Sequence, residues 1–362
     1  MRYLKKFNES VRTFMTDPRY IRLYCSSRGI GIDSVSEDGT VNVNGTCYMN
    51  NFQGQNIPFR FGEIGGLDIS NSFLTSLEGC PRIIKGNLIF RESEITNMIG
   101  GPEVVIGSVH ASESRLTSLE GAPKVIEGDF LLKGTKISNL EGLPKSIGRN
   151  LALDHTPLTS LEGCPNFITG QFTTSKTLLT DLKGAPREIS GDAGFEHCNR
   201  LTSLEGIPKK IGSNLVLNGC LNVWDPRPLR DVEIGNGFSC ANTKILPLVD
   251  FFYSAHLVKF GHGRLTNLPI PGSYYAWGRN LMDSPPFRDF LDSLDYNYIR
   301  GTCENPQINQ FRFVEALEEL IPTWRATWDY YTQGSPYKSK LGAVYTLVDN
   351  EGNPVDIDGN RI

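Results

Sequence analysis

The chain has 362 residues, of which 39% are hydrophobic, and its 36 Lys and Arg against 40 Asp and Glu give a formal net charge of −4. This composition supports a sizeable core and excludes wholesale disorder. The balanced charge argues against a dedicated nucleic-acid binder, which needs a basic face. No run of about 18 apolar residues is present, so no membrane span is predicted.

Residues 1–56 are predicted to form an N-terminal cap and a lead-in to the rest of the chain. The pattern at residues 18–28 predicts one helix, and residues 37–45 (EDGTVNVNG) predict a turn followed by a short strand. A cap is expected because the uncovered end of a repeat array exposes its core.

Residues 57–249 carry a repeat that recurs every 21 residues, with one step of 22, and that opens on segments such as LTSLEGCP. Seven copies begin at Leu74, Ile95, Leu116, Ile137, Leu158, Leu179 and Leu201. The first position is Leu or Ile in every copy, and the positions three, ten and fourteen residues later are apolar in every copy. Four apolar columns in each coil predict a stacked solenoid with one continuous core.

Turn residues fill two further columns without exception. A Gly stands five residues after the start of each copy, as in Gly79, and a Pro stands seven residues after it, as in Pro81. A Gly that tolerates positive φ, followed by a Pro that fixes φ, predicts a reproducible corner in every coil.

The segment from Leu88 to Met98 matches the leucine-rich-repeat pattern LxLxxNxLxxL, with Ser, Thr or Cys in place of Asn in most copies. The predicted fold class is therefore a leucine-rich-repeat-like β-solenoid, with a ladder of about nine parallel strands at a spacing of about 4.8 Å. The convex side is predicted to be mostly irregular, because 21 residues with a Pro leave little room for a helix.

Residues 250–362 are predicted to form a small C-terminal α+β cap or docking module. A helix is predicted near residues 309–320 and a hairpin over residues 343–348 and 354–357. Residues 356–360 (DIDGN) are similar to the start of a calcium loop but lack its later Glu, so a turn is predicted there. Aromatic residues of this module are candidates for docking: Tyr274, Tyr275, Trp277, Trp324 and Trp328.

The eight cysteines include no CxxC motif, and their spacing favours reduced thiols over a disulfide framework. Cys80 and Cys164 share one slot four repeats apart, which places them beyond the disulfide limit of about 7 Å. They are interpreted as small core residues.

No motif for catalysis, metal or cofactor binding stands out. The five histidines have no metal-ligand spacing, and the chain has no P-loop, dinucleotide fingerprint or nucleophile elbow. No catalytic residue, metal, cofactor or small-molecule substrate is therefore predicted. The alternative is an enzyme whose site lies in the C-terminal module around His256, His262, Asp283 and Glu304.

A Glu column (Glu78, Glu120, Glu141, Glu162 and Glu205) is followed four residues later by a mostly basic column (Arg82, Lys124, Lys145, Arg187 and Lys209). One interpretation is a pair of mutually neutralising surface ladders in which the Glu carboxylates bond turn amides. The other is a stripe that binds a cation or a basic partner.

Solenoids of this kind bind partners on the concave strand face. Its outward positions form the candidate protein-binding face: Asp68, Ile89, Arg91, His110, Ser112, Leu131, Lys133, Asp154, Thr173, Ser175, Val216 and Asn218.

The segment IPFRFGEIGG (residues 57–66), followed by tandem LTSLEGCP and LTSLEGAP units, resembles uncharacterised leucine-rich-repeat proteins of tailed bacteriophages. The resemblance covers roughly residues 20–250 and carries no catalytic residues, and the usual Asn-Asn and Cys strand signature of that family is mostly absent. The first residues, MRYLKKFNES, also look like the capsid-targeting leaders of large myophages, with a cut after Glu9; the alternative is an ordinary basic N-terminus.

Two functions follow as expectations. The first is a non-enzymatic structural or interaction protein of the phage virion, associated with the capsid or the tail, whose partners are other virion proteins. The second is a phage effector in the host cytoplasm that binds a host protein through the concave face. Neither involves nucleic acid or a membrane.

Overall fold

The computed structural model describes residues 14–245, 273–274, 299–301, 305–320 and 345–362. The chain divides into two compact units, Met1–Thr177 and Leu178–Ile362. Each unit is described by itself below. The predicted boundaries at residues 56/57 and 249/250 stay predictions.

The first element among the described residues of the first unit is helix α1, Pro18–Ser27, which confirms the predicted helix. Asp17 caps its N-terminus by accepting a hydrogen bond from the Arg19 backbone N–H at 2.9 Å, and Pro18 suits the first helical position because it has no N–H to satisfy. One face of the helix is buried through Ile21, Tyr24 and Cys25. The helix is therefore an amphipathic cap.

The lead-in is longer than the sequence predicts. Strand β1 is Ser34–Val35 and strand β2 is Val41–Tyr48, and the two pair antiparallel. Strand β3 is Phe61–Asp68 and runs parallel to β2 with two register shifts. The β2–β3 pair starts the parallel arrangement that the repeats continue.

The repeats of the first unit build two parallel ladders from very short strands. The first ladder extends β3 with β5 (Leu88–Ile89), β7 (Val109–His110), β9 (Phe130–Leu131), β11 (Leu151–Ala152) and β13 (Phe172–Thr173). The second ladder contains β4 (Ile83–Ile84), β6 (Val104–Val105), β8 (Val125–Ile126) and β10 (Ser146–Ile147). Strand β12 is Phe167–Ile168. The second ladder differs from the prediction, because the sequence predicts a mostly irregular convex side.

The second unit repeats this arrangement. Strands β14 (Glu188–Ile189), β16 (Lys210–Ile211) and β18 (Glu233–Ile234) form one parallel ladder, and β15 (Ala193–Gly194), β17 (Leu215–Val216) and β19 (Phe238–Ser239) form the other. A 3₁₀ helix, Arg227–Asp231, interrupts the last coil. Strand β20, Ser273–Tyr274, pairs antiparallel with β19.

The four predicted apolar columns form the core of the repeats. Every member of these columns in the seven copies is at most 3% exposed. This result confirms the β-solenoid, since each coil buries the same four positions against its neighbours.

Each coil turns at two corners. At the first corner, the invariant Gly column has φ between 79° and 100°, as predicted, in the left-handed region that glycine occupies without strain. The second corner follows the strand of the first ladder and is also left-handed, and its residue is one of Asn51, Asn71, Glu92, Glu113, Gly134, His155, Lys176, His197, Gly219 and Asn242.

A buried slot directly follows the second corner. In five coils of the first unit a hydroxyl fills it and donates to the carbonyl three residues earlier at 2.6–2.8 Å, in Ser93, Ser114, Thr135, Thr156 and Thr177. In the second unit the slot holds Cys198, Cys220 and Thr243. These bonds satisfy backbone carbonyls at a turn that leaves the ladder.

The C-terminal part of the second unit contains a helix, as predicted, and a small sheet that the sequence does not predict. Of the predicted hairpin, Val348 and Pro354 form an isolated antiparallel bridge. Strands β21 (Ile299–Gly301), β22 (Pro306–Asn309) and β23 (Thr346–Val348) pair in that order. Helix α2 is Gln310–Leu320, and the Asn309 side chain caps it by accepting from the Arg312 N–H at 3.0 Å. The buried Tyr345 hydroxyl donates to the Trp224 carbonyl at 2.5 Å, which ties this module to the last coil of the unit.

Two turns of the same construction end the chain. The Asp349 carboxylate accepts the Glu351 and Asn353 amides at 2.9 and 2.8 Å. The Asp356 carboxylate accepts the Asp358 and Asn360 amides at 3.0 and 2.8 Å, so the predicted turn at 356–360 is confirmed. These bonds lower the pKa of both carboxyls, with the side-chain bond from Asn353 or Asn360 as the largest cause.

Candidate protein-binding face

In the first unit, the last residue of each strand of the first ladder points away from the core. The strand register places these residues in one row: Asp68, Ile89, His110, Leu131, Ala152 and Thr173. All six are half-buried, whereas the residue before each of them is buried. The row results from the alternation of side chains along a strand and from the exact 21-residue step.

A second row lies two residues further along each coil: Ser70, Arg91, Ser112, Lys133, Asp154 and Ser175. Backbone hydrogen bonds hold it in register beyond the strands, for example from the Glu113 N–H to the Lys133 carbonyl at 2.8 Å. Neighbouring members of each row are therefore about 4.8 Å apart. The structure brings the ten predicted residues of this unit together on one surface.

Several polar residues of this surface are used within the ladder. Asp154 accepts the Thr173 hydroxyl and the Ser175 amide, both at 2.7 Å, and Asp68 accepts the Ser70 amide at 3.0 Å. Because their oxygens already accept such bonds, these carboxylates stabilise the coil as well as contribute to the surface.

Arg91 and His110 are in contact on this surface, with 2.8 Å between Arg91 Nη2 and His110 Nδ1. Since a guanidinium can only donate, Nδ1 accepts and the ring is neutral with its proton on Nε2. Burial lowers the pKa of His110, the positive charge of Arg91 lowers it further, and Asp129 opposes the shift. The neutral ring therefore keeps the Arg91 guanidinium in place.

Ile89, Leu131 and Lys133 remain available to a partner. Both apolar side chains are half-buried and Lys133 is exposed. In the part of the chain that the structure describes, no carboxylate lies within 4.0 Å of the Lys133 ammonium. Two apolar side chains, one on each side of His110 in the row, beside the Lys133 ammonium suit contact with another protein.

The second unit differs at the equivalent positions. Val216 is half-buried, but its row neighbours Gly194 and Ser239 are buried. The Asn218 side chain accepts the Ser239 hydroxyl at 2.7 Å and the Ala241 amide at 2.9 Å. Of the two predicted residues here, Asn218 bonds within the ladder and Val216 alone offers apolar contact.

The second corner borders this face, and sequence reasoning missed it. Its non-glycine residues have φ between 51° and 59° and all are exposed, so they add charges such as Glu92, Glu113 and Lys176 beside the two rows. The only sequence signal is a polar residue or Gly directly before the Ser, Thr or Cys slot. That signal is weak because any solvated turn has it.

The Glu and basic columns do not neutralise each other as predicted. The backbone N–H groups of the Glu column donate to side chains two residues earlier, as the Glu120 N–H does to the Ser118 hydroxyl oxygen at 3.1 Å. The basic column pairs with acids in its own column, since Glu103 contacts Arg82 at 3.1 Å and Lys124 at 3.0 Å. Lys183 with Glu205, at 2.9 Å, is the pair within the Glu column.

The predicted docking aromatics are largely untested. Tyr274 lies in β20, and Tyr275, Trp277, Trp324 and Trp328 lie outside the described residues. The alternative enzymatic site and the leader also lie outside them, with His256, His262, Asp283, Glu304 and residues 1–13.

Among the described residues, no three or more His, Cys, Asp or Glu are grouped so as to hold a metal ion. No helix in the same residues is long and apolar enough to cross a membrane. No protein-family model matches the chain, and neither a curated protein nor a solved structure matches it significantly.

Proposed function

We propose that this protein is a non-enzymatic interaction protein of the phage virion, associated with the capsid or the tail, and that its solenoid is a rigid docking scaffold. The observation that carries the interaction role is the outward row containing Ile89, His110 and Leu131, with the unpaired Lys133 beside it. The virion setting rests on the resemblance of the LTSLEGxP repeats to phage proteins.

The scaffold role is supported by how the rows are fixed. Backbone bonds join the coils of Ile89, His110 and Leu131 to the coils before and after them, and a buried core residue directly precedes each of the three. A surface that is ordered before contact loses little conformational entropy on binding. Such a surface suits a docking element better than a mobile loop does.

Mass spectrometry of purified virions tests the setting. The protein is expected in a fixed ratio to the major capsid or tail proteins after the particles are washed in high salt. Its absence from particles, with presence in the infected-cell lysate, overturns the virion proposal.

The same face has a second candidate role, in which a phage effector binds a host protein in the cytoplasm. The exposed Lys133 favours it, because charged rims set the specificity of transient complexes. A pull-down from host lysate should return one stoichiometric partner, and the double variant Arg91→Glu with Lys133→Glu should lose it. A matched control reverses two exposed lysines off the face, Lys145→Glu with Lys210→Glu, and should retain the partner.

The two roles are distinguishable with one pair of variants. If the face docks the protein in the virion, the Arg91 and Lys133 reversal lowers its copy number in particles and the control does not. Normal incorporation of the reversed variant, together with no host partner at micromolar concentration, excludes this face from both roles.

A further inference from the structure

Cys198 and Cys220 occupy the buried slot that hydroxyls fill in the first unit. Both side chains are 0% exposed. A hydroxyl in this slot, such as that of Thr156, donates to the carbonyl three residues earlier at 2.6 Å. Thiols are weaker donors, so this pair needs a separate account.

The two cysteines lie at the same position of neighbouring coils. Strand pairing aligns Ala193 with Leu215, and each cysteine lies five residues after one member of that pair. The alignment continues to the corner, because the His197 N–H donates to the Asn218 carbonyl at 2.8 Å. The two Cα atoms are therefore separated by one ladder spacing of about 4.8 Å, within the range of about 4.4–6.8 Å that disulfides require.

The thiols also converge. Cys220 Sγ lies 2.8 Å from the Phe195 carbonyl oxygen of the preceding coil, and Phe195 is the residue three before Cys198. In the pattern of the hydroxyl slots, the Phe195 carbonyl would accept from residue 198 of its own coil. Here the Cys220 thiol of the next coil contacts that carbonyl instead. A hydrogen bond between the two thiols and their burial raise the pKa of Cys220.

We propose that Cys198 and Cys220 form a two-electron oxidation site that closes into a disulfide between neighbouring coils, with a peroxide as the oxidant. One thiol loses its proton and its thiolate attacks a peroxide oxygen, so the O–O bond breaks, a sulfenic acid forms, and the expelled hydroxide takes up that proton to give water. The second thiolate attacks the sulfenic sulfur, the S–S bond forms, and hydroxide leaves and takes up the proton. In sum, two thiols and one hydrogen peroxide give one disulfide and two waters.

Oxidation of this site is expected to be slow in the folded protein. The thiolate is the reactive form, and both burial and the neighbouring thiol disfavour it here. Oxidation therefore requires a local opening of the coil, and the disulfide then prevents the two coils from separating. This inference is independent of the proposed virion role.

Oxidation of the full chain with hydrogen peroxide, at a urea concentration below the unfolding midpoint, tests the proposal. The remaining thiols are alkylated in denaturant and the protein is digested with trypsin. Mass spectrometry should find residues 188–200 linked to residues 211–230, and the thiol count should fall from eight to six. The linked peptides should form several-fold faster in urea than in buffer.

Two variants sharpen the test. Cys198→Thr places in the slot the residue that fills it at Thr156 and Thr243, so the chain should fold with seven thiols and form no link. Cys80→Ala removes a cysteine from another column and should leave the link unchanged. The proposal is overturned if oxidised wild-type protein contains no link between these peptides, or if its disulfides join other cysteines or separate molecules instead.

Discussion

The two corners of each coil share a left-handed backbone conformation but differ in the residue types that occupy them. The first corner is Gly in all seven copies, and the second carries Glu, His, Lys or Asn in most coils. The sign of φ does not explain this difference, because φ is positive at both.

The space around each corner explains it. A Cβ built on Gly142, at the first corner, lies 2.7 Å from the Leu119 carbonyl oxygen of the neighbouring coil. That oxygen belongs to the backbone and cannot move aside. At the second corner the side chain is exposed, as for His155, and a Cβ built on Gly134 or Gly219 meets side-chain atoms and not backbone. Glycine is thus required where the coils touch and optional where they face water.

The largest expected effect is at the first corner. Gly142→Ala should lower the free energy of unfolding by about 3 kcal/mol, because it combines a left-handed strain with a clash against backbone. Urea denaturation followed by circular dichroism measures this change.

Gly163→Ala is the graded control for that prediction. Its φ is also positive, but the nearest atom to its Cβ, the Leu140 carbonyl oxygen, is 3.1 Å away. Gly163→Ala should therefore cost less than Gly142→Ala. Equal losses at both positions would mean that the backbone angle, and not the contact between coils, decides the first corner.

A smaller effect is expected for glycine at the second corner. A Cβ on Gly134 meets the Glu113 carboxylate, which is the mobile end of a flexible side chain. Gly134→Ala should therefore cost about 1 kcal/mol, mainly from its positive φ. The same substitution in a Glu113→Ala background should cost nearly as much, and a loss that disappears there would assign it to the contact instead.

The opposite substitution at this corner should stabilise the fold. His155→Gly relieves the left-handed strain and should raise the free energy of unfolding by about 0.5–1 kcal/mol, after the entropy that glycine adds to the unfolded chain. Thermal unfolding of His155→Gly beside His155→Ala measures it. A lower midpoint for the Gly variant would show that the ring makes a stabilising contact.

The sequence predicts the first corner but not the second for the same physical reason. The steric requirement seen at Gly142 makes glycine invariant at the first corner of every copy. The solvated second corner accepts Glu, His or Lys and therefore shows no sequence pattern. The four apolar columns were likewise predictable, because each of them is buried in every coil.

Other features depend on three-dimensional geometry that the sequence pattern does not reveal. The repeat strands of both ladders have two residues, as in Ile83–Ile84 and Leu88–Ile89. The first ladder is predicted because its strands match the leucine-rich-repeat pattern, whereas the strands of the second ladder lie outside that pattern. The prediction that Lys124 pairs with the Glu column was wrong, because side-chain reach across one coil brings it to Glu103 instead. Residues on the candidate face were placed correctly, but whether they bind a partner stays a prediction.

The smallest expected effect is the pH dependence that His110 contributes beside the second corner. Burial and the Arg91 charge hold the pKa of His110 below its usual 6.5 in the folded chain, against an opposing effect of Asp129. The unfolded chain then binds a proton more readily than the folded one, so this contribution is complete above about pH 6.5 and is lost as the pH falls towards the lowered pKa. Urea unfolding between pH 7.5 and pH 5.5 should show a loss that is smaller in His110→Gln and in Arg91→Met. A wild-type slope in His110→Gln would place the titrating group elsewhere.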